Sequence, residues 1–241
     1  MLSGVNLSKS FGNQQIINNV DLQLEPGQIS VIIGPSGSGK TTLLKMMALL
    51  EHPDSGRIDI DDTSYTFPLK RGQTPTPPWP KVTVVFQQLF LWPHLTLMQN
   101  ITLPLKLRGK DRSENLEQLI HLFAMESFIN RYPNQASLGQ RQRAALVRAL
   151  VLQPEYILLD EITSSLDVEQ VAIILGHLRE LANKGIGILT VTHLLHFARE
   201  AADRIIFLDK GQVIESGGKE LLVSPKQERV QKFLSVIEAA S

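Results

Sequence analysis

The sequence predicts an α/β protein: a mostly parallel sheet packed by helices, with a mostly helical insertion between Phe86 and Tyr156. Three observations carry this. Ile29–Ile33, Val82–Phe86 and Tyr156–Asp160 are short and almost wholly apolar, the pattern of strands buried on both faces. Segments with apolar residues at helical spacing separate them. From Thr96 to Leu152 the character is helical throughout, so the insertion interrupts an alternation of strand and helix.

Taken in order, Gly4–Phe11 and Ile16–Leu24 read as strands, followed by a turn at Glu25-Pro26-Gly27. The buried strand Ile29–Ile33 leads into a glycine-rich loop and a helix over Lys40–Leu50. Arg57–Ile60 reads as a further short strand. Asp61–Pro80 carries five prolines (Pro68, Pro75, Pro77, Pro78 and Pro80) and reads as a loop or ragged edge, because proline removes donors and restricts its predecessor. Asn115–Phe123 and Gln140–Leu152 have helical spacing, the second followed by Pro154. Val168–Leu181 reads as a helix, Gly187–Thr192 as a strand and His196–Ala202 as a short helix. Arg204–Leu208 and Gln212–Glu215 flank a hairpin turn at Asp209-Lys210-Gly211, and Lys226–Ala240 is an amphipathic helix.

Composition bounds the function. The 24 Lys and Arg balance 24 Asp and Glu, which argues against attachment to nucleic acid by bulk charge. Hydrophobic residues at 43% and charged residues at 20% describe a globular chain of 241 residues, read as one compact unit. The absence of cysteine excludes disulfides and thiolate metal sites. No run reaches the roughly 18 apolar residues of a membrane helix, so membrane association is expected through a partner. No secretory signal is visible at the start. The histidines other than His193 (His52, His94, His121, His177 and His196) make no metal-ligand spacing.

The chemistry is concentrated in two places. Gly34-Pro35-Ser36-Gly37-Ser38-Gly39-Lys40-Thr41 matches G-x-x-x-x-G-K-[ST]. Its glycines let consecutive N–H groups face an anion, and the following helix points its positive end at phosphate. Lys40 can reach the β- and γ-phosphates, and the Thr41 hydroxyl can ligate Mg²⁺. Such a loop needs a carboxylate from a neighbouring strand, and Ile157-Leu158-Leu159-Asp160 supplies it at a strand's C-terminal end. Neighbours on an extended segment point different ways, so Asp160 faces the metal while Glu161 faces the water beyond the γ-phosphate.

With these motifs in place, the chain resembles the ATP-binding-cassette (ABC) ATPases, and more closely the ATP-binding subunits of polar amino-acid importers. Further residues carry the resemblance, in the family's order from about residue 5 to 235. Val85-Phe86-Gln87-Gln88 with Leu91–Thr96 looks like its Q-loop, and Thr163-Ser164-Ser165-Leu166-Asp167 like its D-loop. Thr190-Val191-Thr192-His193 looks like its switch histidine, and Lys9-Ser10-Phe11-Gly12 matches the site of its adenine-stacking aromatic. The signature reads Ala136-Ser137-Leu138-Gly139-Gln140 where the family has Leu-Ser-Gly-Gly-Gln, and Ser137 can cap a helix beginning near Gly139. Ile162 stands where the family has proline after the catalytic Glu, and Ser165 where it has a D-loop alanine.

The resemblance implies a P-loop NTPase (RecA-like) core with an N-terminal antiparallel β subdomain and an inserted α-helical subdomain. It makes 1–241 a single domain: 1–86 and 155–225 the nucleotide-binding core, 87–154 the Q-loop and helical signature subdomain, and 226–241 a C-terminal helix. It implies ATP and Mg²⁺, with Phe11, the loop from Gly34 to Thr41 and Thr42 binding nucleotide. Thr41, Asp160 and Gln87 hold the metal, and Glu161, His193 and Gln87 act at the reacting phosphate. Ser137, Leu138, Gly139 and Gln140 would face the partner's ATP across a head-to-tail homodimer, or a heterodimer with a second cassette, with Asp167 in its D-loop. Integral membrane subunits, a solute-binding protein and a peripheral place on the cytoplasmic face of the membrane follow by resemblance, without nucleic acid. The implied activity is ATP hydrolysis driving import of a small solute, an amino acid by resemblance. A lipid or lipoprotein exporter cassette, a soluble ABC ATPase acting on DNA or ribosomes, or a nucleotide-binding module with impaired turnover are the alternatives.

Overall fold

The computed structural model describes residues 1–70, 72, 74–109, 114–162 and 168–240. Two sheets and one helical lobe make up the fold. Strands β1 (Leu2–Phe11), β2 (Gln14–Leu24), β4 (Ser55–Ile60) and β5 (Thr63–Phe67) form an antiparallel sheet in the order β2-β1-β4-β5. The second sheet has six strands in the order β10-β9-β3-β8-β7-β6. In it β3 (Ile29–Ile33), β6 (Val82–Val85), β7 (Tyr156–Asp160), β8 (Gly187–Val191) and β9 (Arg204–Asp209) run parallel, and β10 (Gln212–Gly217) closes one edge antiparallel to β9.

The apolar strands are buried on both faces because each face has its own core. Ile32, Leu158, Leu189, Ile206 and Leu208 pack with helix α1 (Lys40–Met47) and the antiparallel sheet. Val31, Ile33, Ile157, Leu159, Ile188 and Phe207 point the other way, among helices α5 (Val168–Asn183), α6 (Leu195–Ala201) and α7 (Glu228–Ala240). Side chains alternate across a strand, so a five-residue apolar run serves two cores at once. The insertion between β6 and β7 carries α2 (Leu97–Leu107), α3 (Leu116–Leu122) and α4 (Leu138–Leu150), whose apolar faces join that second core.

The segment expected to be a loop between Asp61 and Pro80 contains β5. Thr63–Phe67 pairs with Gly56–Ile60, and its Tyr65 is half-buried, so a two-residue turn at Asp61-Asp62 makes a hairpin that the downstream prolines obscured in the sequence. Asp61 takes φ +50 in this turn. Its carboxylate pairs with Lys81 Nζ at 2.5 Å and accepts from Tyr156 Oη at 2.7 Å, fastening the antiparallel sheet to the starts of β6 and β7. Helix α4 begins one residue earlier than Gly139, at Leu138. Ser137 caps it by accepting from Gln140 N at 3.3 Å, while Gln140 Oε1 accepts from Ser137 N at 3.0 Å. Helix α1 stops at Met47, short of Leu50, where Leu49 adopts φ +54.

Candidate nucleotide-binding site

Strand β3, the central strand, ends at Ile33 and releases the chain into the Gly34–Gly39 loop, and α1 starts at once with Lys40. Gly39 sits at the helix N-cap with φ +101, where a Cβ would lie 2.7 Å from Ile17 Cδ1 and 2.9 Å from Ile16 O. Only glycine fits such a close approach at positive φ. The final hairpin supports the loop from below: Gly211 N donates to Ser38 O at 3.0 Å, and Asn18 N donates to Gly211 O at 2.9 Å.

Lys40 is buried inside this loop. Its Nζ donates to Gly34 O at 2.9 Å and Pro35 O at 2.8 Å. Burial pushes its pKa below the ordinary lysine value, against the opposing pull of Glu161 and Asp160. Thr41 Oγ1 donates to Asp160 Oδ1 at 3.0 Å, which joins the first turn of α1 to the end of β7. Burial raises the Asp160 pKa above the usual carboxylate range, the Thr41 bond working the other way. The next residue, Glu161, turns to φ +49 while its N–H donates to Val191 O at 3.0 Å, and its Oε2 lies 3.8 Å from His193 Nδ1.

One cleft of about 380 Å³ gathers Lys40, Thr41 and Glu161, while Asp160 and His193, paired with Thr41 and Glu161, are not among its lining. Phe11, Ser36, Gly37, Gly39, Lys40, Thr41, Thr42 and Glu161 line it, as the sequence led us to expect, together with Ile16, which it did not. Ile16 lies on β2 just beyond a β-turn, and nothing in the alternation of that strand singles it out. Phe11 leaves half its ring exposed at the mouth, with Lys9 Nζ 5.2 Å from the ring centroid. Lys9 is itself held by Glu51 at 2.7 Å and by His52 O at 2.7 Å.

Some expected site residues lie apart from this cleft. Gln87 and Gln88 are exposed just past the end of β6. Ser137, Leu138 and Gln140 stand at the free N-terminus of α4, outside the lining of the cleft, with Gly139 buried behind them. Asp167 and the rest of Thr163–Asp167 lie outside the described residues. Two residues of the insertion, half-buried Arg148 and buried Asn100, had no signal in the sequence. Arg148 on α4 donates to Leu89 O at 2.6 Å and Phe90 O at 2.7 Å, tying α4 to the segment after Gln87. Asn100 accepts from Trp92 N at 2.7 Å and donates to the carbonyls of Trp92, Leu95 and Thr96 at 3.0–3.1 Å, which shapes the same segment from α2.

A phosphate loop, a lysine inside it, a threonine–aspartate pair and a carboxylate–histidine pair on adjoining strand ends make a site for a nucleoside triphosphate. The ABC transporter family matches residues 17–164. The chain belongs to this family, as an ATPase cassette. It is 40% identical to the arginine transport ATP-binding protein ArtM of Bacillus subtilis, across 98% of this chain and 100% of that protein. It is 38% identical to the glutamine transport ATP-binding protein GlnQ of Escherichia coli, across 97% of this chain and 98% of that one. Among solved structures, the cassette superposes on the dimeric structure of MJ0796, a bacterial ABC transporter cassette, with TM-score 0.79 and 31% identity over 91% of this chain and 99% of that one. A post-hydrolysis dimer of MJ0796 bound to ADP and Pi matches with TM-score 0.78 and 32% identity, over the same shares of the two chains. The P-loop core, antiparallel β sheet and helical insertion of the cassette are thus those the sequence led us to expect. No helix among the described residues is long and apolar enough to cross a membrane.

Proposed function

We propose that this cassette uses ATP to drive import of a polar amino acid, working as a head-to-tail dimer bound to integral membrane subunits at the cytoplasmic face, with a solute-binding protein delivering the solute. Lys40, Thr41 and Glu161 on one cleft, with Asp160 bonded to Thr41 and His193 beside Glu161, support the catalytic part of this reading. The names of the relatives, transporters of arginine, glutamine and cystine, favour a polar amino acid as the solute.

Each residue has a task. Phe11 offers a ring face to adenine. The loop N–H groups and the start of α1 hold the phosphates. Lys40 exchanges the Gly34 and Pro35 carbonyls for phosphate oxygens. Glu161 accepts a proton from water as the water oxygen bonds the γ-phosphorus; the bond to the bridging oxygen breaks, and its electron pair leaves with ADP. His193, on the adjoining strand end, donates to a γ-phosphate oxygen. The hydroxyl–carboxylate pair of Thr41 and Asp160, two hard oxygen donors already within 3.0 Å, suits Mg²⁺, with Gln87 as a further oxygen donor. When bound, that ion neutralises charge on the β- and γ-phosphate oxygens. In the dimer, the N-terminus of α4 presents Ser137 and the N–H groups of Leu138 and Gly139 to the partner's nucleotide, with Gln140 closing the cap on Ser137.

The membrane subunits have an apolar groove of about 340 Å³ available between the core and the insertion, lined by Leu49, Trp79, Phe86, Pro104 and Ala149. Exposed Phe90 and Trp92 stand next to Gln87 on the same segment.

Glu161→Gln tests the catalytic assignment. It keeps shape and hydrogen bonding, removes the basic oxygen, and should lower hydrolysis by about 10²-fold or more while Mg-ATP still binds. Parental hydrolysis would reject Glu161 as the base. Reconstitution with its membrane subunits and uptake of labelled arginine, glutamine or cystine tests the solute class, and transport of none of them would reject it.

A further inference from the structure

Gln142 lies on the second turn of α4, is only 5% exposed, and has no part in the chemistry described so far. Its Nε2 donates to Ile162 O at 2.6 Å, and Ile162 is the residue after Glu161. Its Oε1 is buried with no hydrogen-bond partner among the described residues. A buried amide that satisfies only one end costs free energy that an apolar side chain of the same size would avoid, so the retained donor calls for a reason.

The position of Ile162 O supplies one. Glu161 leaves β7 with φ +49, a conformation uncommon for a residue with a side chain. On its upstream side the backbone is pinned by the Glu161 N–H to Val191 O bond, 3.0 Å long. On its downstream side the pin is Gln142 on the Ile162 carbonyl. The carboxylate therefore hangs from a short backbone stretch fixed at both ends, one end by β8 and the other by α4. Helix α4 also approaches the first turn of α5 closely: a Cβ on Gly139 would lie 2.6 Å from Gln170 Oε1.

We propose that Gln142 is a positioning residue for the Glu161 carboxylate, carrying the placement of the α4 N-terminus into the catalytic backbone of its own chain. The inference rests on the assignment of Glu161 as base. Its consequence is that whatever engages Ser137–Gln140, within about one and a half turns on the same helix, also sets the aim of the base in that subunit. Two sites that share no ligand are then linked through one amide.

The test uses the full-length cassette with three variants. Gln142→Met removes the donor and the unpartnered oxygen together. It should keep the parental melting temperature within about 3 °C and the parental Kd for Mg-ATP, and should lower kcat about tenfold at unchanged KM, because a misplaced catalytic group slows chemistry without weakening binding. Gln142→Glu keeps the shape and donates to Ile162 O only when protonated, so its kcat relative to the parent should climb as pH is lowered from 8.5 to 6. Glu161→Gln is the reference. A folded Gln142→Met protein with parental kcat overturns the inference, as does a loss that tracks a rise in Kd. A Gln142→Glu ratio that stays flat at the Gln142→Met level overturns it too. Parental hydrolysis by Glu161→Gln would instead remove the base assignment itself, so the two failures are told apart.

Discussion

Lys40→Met separates stability from nucleotide affinity more sharply than any other change in the cleft. Lys40 is 7% exposed and its ammonium donates to two backbone carbonyls, with no carboxylate of the described residues in a direct ion pair. Two hydrogen bonds from a charged donor contribute about 1.5–3 kcal/mol each. Desolvating the ammonium costs several kcal/mol. The terms oppose each other, and methionine fills nearly the same volume, so stability should change by about 2 kcal/mol at most, or roughly 4–8 °C in melting temperature for a chain of this size. On binding, these donors leave neutral carbonyls for charged phosphate oxygens, and losing one partner of a buried charge pair costs about 2–5 kcal/mol, so the Kd for Mg-ATP should rise by about 30-fold to 5,000-fold. A pH signature accompanies this. Burial holds the Lys40 pKa below its unfolded value, so the unfolded chain binds the proton more tightly and native stability rises with pH between the two values; the variant lacks that rise. Urea unfolding at several pH values and calorimetric titration with Mg-ATP check both halves. An unchanged Kd would refute the placement of phosphate at Lys40.

Gly211→Ala forces a Cβ to 2.3 Å from Ile16 O at φ +75; it should destabilise the fold by about 3 kcal/mol or more in urea unfolding and weaken ATP binding through the loop it supports. Asp61→Asn should lower stability by about 1–3 kcal/mol at pH 7, by weakening the ties to Lys81 and Tyr156. Burial pushes the Asp61 pKa up, but the bonds from Lys81, the N-terminal ammonium of Met1 and Tyr156 outweigh it and hold the carboxyl well below the usual range, so the wild-type advantage is full above about pH 4 and fades as pH falls further. Leu138→Gly in the Glu161→Gln background tests the altered signature by sedimentation with Mg-ATP. A dimer tighter by about 1 kcal/mol means that Leu138 crowds the partner's nucleotide. A weaker one means that it packs against the partner.

Most of the fold could be read because its strands bury both faces, and a run such as Ile29–Ile33 has no other easy reading. The cleft was legible where the chemistry is local. Gly34–Thr41 carries its whole G-x-x-x-x-G-K-[ST] pattern within eight residues, and Asp160 ends an almost wholly apolar strand. Strand β5 escaped because its alternation is mostly polar and the prolines after it dominate the segment. Gln142, Arg148 and Asn100 escaped for a different reason. Each acts on a backbone carbonyl or N–H, 20 residues away for Gln142, 59 for Arg148 and only 8 for Asn100, and a backbone partner leaves no trace in residue type. The N-cap of α4 was read correctly at Ser137 but placed a residue from the true start, because Leu138 suits a first helical turn as well as a loop.

The support of the phosphate loop by Gly211 has a consequence for biosynthesis. The loop is made early, yet the carbonyl of Ser38 waits for the N–H of a residue 173 positions later, and β3 waits for β8 and β9 on either side. At about 5–20 residues per second, the ribosome needs roughly 10–35 s to supply that hairpin after the loop has been synthesised. Until then the nascent chain carries the whole phosphate motif without the scaffold that shapes it. On the proposed reading, ATP stabilises only those cassettes in which β9 and β10 have already closed the sheet.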